Sequence, residues 1–264
     1  MLTSLLAKGF QVSFHSHAEA ILSVDFPEAV AEIETALLNL RIPIEEVIGS
    51  GGGETKGTQR LRRALSQLNW PKFKFTIKKI INQEERESIS HEIDHVRTMP
   101  NGTRVALEIE WNNKDPFYDR DLENFKRLHA DGAISVGVIV TRGKSLQDNM
   151  KGLVRRFLIE RQIHNFDDLE KWNYAPTPKQ KAQIIRRMQR DVDPIGFSDA
   201  FTDKFVSDKY GEATTHWRKL EDRVNRGVGN PCPLLLIGLP DTIITFDEAE
   251  IALAELTSDN QTDP

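Results

Sequence analysis

The sequence predicts an α/β fold: a central mixed β-sheet flanked by helices. Three observations point to it. Residues 133–141 (AISVGVIVT) are almost wholly apolar and β-branched, the pattern of a strand buried on both faces in a parallel sheet. Residues 104–111 (RVALEIEW) alternate in character, as the two faces of a strand require. Between them, 119–128 carries Leu122, Phe125 and Leu128 along one side of an amphipathic helix. Strand, helix and strand over 104–141 make one right-handed crossover unit.

The remaining elements follow in chain order. Residues 28–40 place Val30, Ile33, Leu37, Leu38 and Leu40 at helical spacing. A glycine loop, 49–57 (GSGGGETKG), leads to a helix over 58–68 with Thr58 as its N-cap, ended by Asn69-Trp70-Pro71. Residues 72–81 (KFKFTIKKII) alternate as a strand with Phe73, Phe75 and Ile77 on one face. A charged stretch, 82–90, separates it from a short strand over 91–96. The turn at Pro100-Asn101-Gly102 folds that strand back against 104–111. Residues 145–190 are mostly helical and rich in arginine, punctuated by Pro176, Pro178 and Pro194. A helix over 217–226, a buried strand over 233–239 and a polar, fraying tail after Leu256 complete the chain.

The chain has 264 residues, 39% hydrophobic and 28% charged, as a globular chain does. No run approaches 18 apolar residues, so no membrane span is expected. The first 14 residues lack the charged start and cleavage site of a signal peptide. Cys232 is the single cysteine, which excludes an internal disulfide and a multi-cysteine zinc site and suits a reducing cytoplasm. The net charge of −5 argues against a general nucleic-acid binder. Charge is uneven, however. Residues 241–264 hold seven acids and no base, whereas 55–79 hold eight Lys or Arg and no acid. For a DNA partner the local patch matters more than the sum.

The strand 104–111 is the most informative segment. Val105, Leu107, Ile109 and Trp111 fall on one face and enter the core; Ala106, Glu108 and Glu110 fall on the other. The two carboxylates then lie about 7 Å apart along the strand, and the turn at 100–102 brings Asp94 beside them. Clustered carboxylates resist joint ionisation unless a cation sits among them. Oxygen-only donors select a hard ion, Mg²⁺ by default. Beside a phosphodiester, that ion polarises a phosphoryl oxygen and activates water. The competing reading of the alternation is a solvated face on a half-exposed sheet.

Asp94, thirteen residues, then Glu108-Ile109-Glu110 resembles the PD-(D/E)xK nuclease motif, with glutamate in place of the usual lysine. Residues 105–117 (VALEIEWNNKDPF), 14–22 (FHSHAEAIL), 32–38 (EIETALL) and 227–238 (GVGNPCPLLLIG) are similar to segments of the BglII/BstYI group of type II restriction endonucleases. Close members of that group carry glutamine where this chain has Glu110; the related BamHI-type enzymes carry glutamate. The resemblance implies a PD-(D/E)xK restriction-endonuclease-like core forming a single domain over 1–256, with a helical insertion at about 145–205 and a tail over 257–264. It implies Mg²⁺-dependent cleavage of double-stranded DNA at a short palindrome, GATC-centred in relatives, leaving 5′ overhangs. A homodimer, a cognate DNA methyltransferase and a cytoplasmic location follow from the same likeness.

By resemblance, Asp94, Glu108 and the main-chain carbonyl of Ile109 hold the metal. Glu110 either orients and deprotonates the attacking water or joins a second metal. Candidate DNA contacts are Lys56, Arg60 and Arg63 for phosphates, and Asn112, Asn113, Lys114, Asp115, Thr214, Thr215, His216, Arg226 and Asn230 in loops near the catalytic strand and the last strand. The glycine loop is not a P-loop, because Thr55 precedes Lys56 and Gly57 follows it. His15 and His17 read as structural. Glu32 and Glu34 read as a solvated helix face. Three other functions compete: a structure-specific repair or recombination nuclease, a non-catalytic DNA-binding protein, and an α/β protein without a nucleic-acid partner.

Overall fold

The computed structural model describes residues 1–49 and 55–259. Most of the predicted glycine loop and the last residues of the predicted tail lie outside them. Helix α1 (Thr3–Ala7), strand β1 (Gln11–His15), α2 (Ala18–Asp25) and α3 (Pro27–Leu38) lead to β2 (Ile42–Pro43), α4 (Ile44–Gly49) and α5 (Lys56–Gln67). Next come β3 (Phe73–Ile81), β4 (Glu84–Ile93), β5 (His95–Thr98), β6 (Arg104–Glu110), α6 (Phe117–Ala130) and β7 (Val136–Arg142). The chain continues through α7 (Lys144–Glu160), α8 (Phe166–Glu170), α9 (Pro178–Met188), α10 (Phe197–Lys209), α11 (Trp217–Asn225), β8 (Leu234–Leu239), β9 (Ile244–Thr245) and α12 (Glu248–Asp259). No described helix is long and apolar enough to cross a membrane.

The main sheet has the order β1-β8-β7-β6-β5. β6, β7 and β8 run parallel, and antiparallel β1 and β5 close the edges. The sheet is therefore mixed, and β6–α6–β7 is the predicted crossover unit. One face packs Val105, Leu107, Val138, Val140 and Ile237 into the larger core, shared with α2 to α5 and with α7 and α10. The other face packs Ala106, Ile139 and Leu236 against α6 and α11. Gly137 lets α6 approach closely, because a Cβ there would run into the Phe125 ring.

Three local expectations are corrected. The N-cap of α5 is Thr55, whose hydroxyl accepts from Thr58 N–H at 3.4 Å; Thr58 lies inside the first turn. The charged stretch 82–90 is mostly strand. Ile77 sits opposite Ile89, Lys78 pairs with Glu85, and Asn82 and Gln83 both take positive φ, the turn that suits the twist of a tight hairpin. The expected fraying tail is helical as far as Asp259.

Candidate active site

β5 pairs with β6 only from Arg104 to Leu107. Past that point, among the described residues, the β5 side of β6 has no partner within the sheet, and there lie Glu108, Ile109 and Glu110. Asp94 is the single bend residue between β4 and β5, where the chain leaves the projecting ribbon and enters the main sheet. The kink aims its backbone N–H at Glu108 Oε2, 3.2 Å away. Alternation puts Glu108 and Glu110 on the α6 side of the sheet, and α6 covers them. They are 4% and 3% exposed, so the half-exposed, solvated face is overturned.

The same covering delivers a fourth acid. Tyr118, Asp121, Leu122, Phe125 and Leu128 are the buried face of α6, and Asp121 is fully buried. Its carboxyl interacts with that of Glu110, its Oδ1 accepts from Arg120, and among the described residues its Oδ2 has no hydrogen-bond partner. Burial is the main cause that pushes Glu108, Glu110 and Asp121 above the ordinary carboxylate range. Asp94 adds to the effect on Glu108, and Asp121 to that on Glu110.

Arginines stand at both ends of this acidic row. Arg62 of α5 donates to Asp94 Oδ1 at 2.9 Å. Arg120 pairs with Asp121 at 2.7 Å and lies 3.8 Å from Glu110 Oε1. Asn113 Nδ2 donates to Glu110 Oε2 at 2.8 Å. An open cleft of about 1010 Å³ runs over the row, walled by Thr58 and Arg62 on one side and by Arg120 and Asn124 on the other. Among the described residues no three His, Cys, Asp or Glu side chains stand ready around one point. The carboxylates are instead held by arginines and hydrogen bonds. The donor chemistry nonetheless fits a hard divalent ion: every candidate is an oxygen, two glutamates are buried, and Asp121 carries an orphaned carboxylate oxygen.

The loop after β6 is braced from beneath. Fully buried Arg142 donates to the Trp111 carbonyl at 2.6 Å, Thr214 Oγ1 at 2.6 Å and the Thr215 carbonyl at 2.7 Å. Thr215 N–H donates to the Asn113 carbonyl at 2.8 Å, and Lys114 forms an antiparallel bridge with Thr214. Two loops a hundred residues apart are thereby joined beside the carboxylates.

The candidate DNA contacts divide. Asn113 and Lys114 are exposed at the cleft end of this joined loop, Asn112 is half-buried in the cleft wall, and Asp115 pairs with Arg223. Lys56 is exposed at the start of α5, and Arg63 is half-buried beside the Gln59 carbonyl. Arg226 is exposed and paired with Asp222, and exposed Asn230 accepts from Ser16. Arg60 is a correction: it turns inward to an ion pair with Glu46 at 2.6 Å, both side chains about 10% exposed. Thr215 and His216 are corrections too, since both are fully buried under the joined loops; Thr214 is half-buried and spent on Arg142. His15 bonds Ser13, and Glu32 is taken by Arg97 and Trp70.

The residues missed by sequence reasoning are Asp121, Arg62, Arg120 and Arg142. Asp121 had a signal: an acid at an apolar-stripe position of an amphipathic helix. The arginines had none, because their partners are distant in sequence.

No curated protein matches this chain. A family model, described as restriction endonuclease BglII/BglIII, matches residues 10–239.

Proposed function

The chain belongs to the BglII/BglIII restriction endonuclease family and is a type II site-specific deoxyribonuclease acting on double-stranded DNA; from that premise we propose that Asp94, Glu108 and Glu110 form its catalytic centre. The observation that supports the proposal is that all three line one cleft, two of them buried on a strand end that β7 pairs on one side and β5 leaves open on the other. In this reading Asp94, Glu108 and the Ile109 carbonyl hold one Mg²⁺.

When bound, Mg²⁺ supplies polarisation of the scissile phosphate and acidification of a water. The protein does the rest. Glu110 accepts the proton of the attacking water, while Asn113 fixes one of its oxygens. Attack at phosphorus breaks the bond to the leaving sugar oxygen, which takes up a proton. Asn112, Asn113 and Lys114 present polar groups to the DNA from the loop braced by Arg142.

The substrate reading is a short palindrome, GATC-centred with 5′ overhangs, cut by a homodimer whose two-fold axis matches that of the site. Its partner in the cell is a cognate methyltransferase, and its place is the cytoplasm. Digestion of a sequenced phage genome with Mg²⁺, followed by end sequencing, tests the recognition sequence and the overhang. Discrete fragments sharing one terminal sequence are expected, and Asp94→Ala and Glu108→Ala should abolish them. Cutting confined to branched or flapped DNA would transfer the chain to structure-specific repair. DNA binding without cleavage across a Mg²⁺ and Mn²⁺ titration would make it a binding protein.

A further inference from the structure

We infer that Arg62 is an exchangeable counter-ion, held on Asp94 in the metal-free enzyme and transferred to a DNA phosphate when a divalent cation takes that carboxylate. The inference rests on the metal reading of Asp94 and Glu108 given above.

The helix supplies the first reason. Basic residues of α5 point in different directions. Arg60 is locked inward on Glu46, and Arg63 lies beside its own helix backbone. Arg62 instead shares a helix face with Thr58 and Thr55, four and seven residues earlier, and all three line the cleft. Of these three arginines it is the one placed where a duplex backbone passing the acids would run.

The pairing supplies the second. Arg62 contacts Asp94 Oδ1 at 2.9 Å, with side chains 36% and 26% exposed. A half-solvated pair of this kind is weak, worth about 0.2–1 kcal/mol. A divalent ion held by Asp94 together with buried Glu108 outcompetes it readily. The displaced guanidinium then sits at the rim of the same cleft, opposite a polyanion. The divalent ion and the guanidinium compete for the single negative charge of Asp94, so metal uptake and the availability of Arg62 are linked. Metal loading thus adds a phosphate contact that the metal-free protein lacks.

The test uses the full chain and Ca²⁺ as the probe ion, with calorimetry on DNA-free protein. Arg62→Gln should bind Ca²⁺ tighter than wild type by up to about fivefold, the factor corresponding to the pair it loses. Asp94→Asn should bind it far more weakly. A fluorescent duplex is then titrated at several salt concentrations. In Ca²⁺ the log–log salt slope of Arg62→Gln should be shallower than wild type by about 0.9 for each phosphate that the arginine neutralises. In EDTA the two slopes should coincide. Arg62→Lys should keep the steeper slope in Ca²⁺.

Unchanged Ca²⁺ affinity in Arg62→Gln, or equal slopes in Ca²⁺, overturns the exchange while the metal site stands. A slope difference already present in EDTA overturns it too, because Arg62 would then touch DNA without metal. Wild-type protein that takes up no Ca²⁺, or Asp94→Asn that takes up as much, overturns the metal reading and the exchange with it. Thermal melts of each variant check that the fold is kept.

Discussion

Replacing Asp121 with asparagine removes one charge from behind Glu110 and leaves the side-chain shape almost unchanged. Asp121 is fully buried, and its charge helps to raise the pKa of Glu110. Were both ionised, at roughly 4 Å and an effective dielectric near 20, the two like charges would repel by at most about 4 kcal/mol. The Arg120 pair lost with the charge offsets at most about 1 kcal/mol, since that guanidinium is 56% exposed. Metal-free Asp121→Asn should therefore gain up to about 2–3 kcal/mol at pH 8, a rise of up to several degrees in Tm. The pH dependence gives the sign. Asp121 normally titrates at 3.8, and in the folded state its pKa is raised. Between those values the native state holds more protons than the unfolded state, so stability falls as pH rises. Asparagine removes that loss, and its benefit must shrink as the pH drops and the carboxyls protonate. Urea melts in EDTA at pH 8 and pH 5 measure it. Equal gains at both pH values, or a loss at pH 8, would refute the reasoning that burial and like charge govern this pair.

Three further outcomes are expected. Glu110→Gln should lower the cleavage rate by about 10²-fold or more, as loss of a general base does, while duplex binding in Ca²⁺ stays near wild type; gel assays under single-turnover conditions decide. Arg142→Met leaves four acceptors without their donor, the Trp111 and Thr215 carbonyls among them, and should cost about 1–3 kcal/mol or more in urea unfolding, with faster amide exchange over 111–115. Gln83→Gly should stabilise the β3–β4 ribbon by about 0.5–1 kcal/mol in a thermal melt, because φ at position 83 is +67° and glycine adopts that region without strain.

How much of the site was legible depends on where each residue's partner lies. Glu108 and Glu110 were found from alternation within one strand, and Asp94 from the turn at 100–102; all three are local signals. The parallel strand 136–142 and the amphipathic helix 117–130 were equally local, since apolar runs and helical stripes need no distant partner to be read. The hairpin over 82–90 was missed because its stabilising pairs, Ile77 with Ile89 and Lys78 with Glu85, lie across the turn, and Asn-Gln is a weaker turn signal than Asn-Gly. Arg60 looked like a phosphate contact because a composition count cannot tell which way a helix faces.

Residue order alone settled the α/β class, the crossover unit and the spacing of two acids on one strand face, because backbone geometry repeats every two or 3.6 residues whatever surrounds it. Packing settled whether those acids are wet or dry. Helix α6 lies close on β7 over Gly137, buries Glu108 and Glu110 and brings Asp121 against them. Arg142 joins two loops separated by a hundred residues, and Arg62 meets Asp94 across the cleft. Such long-range contacts depend on the relative placement of whole elements, which no periodicity encodes, and it is they that raise the proton affinities and fix the charge of the centre.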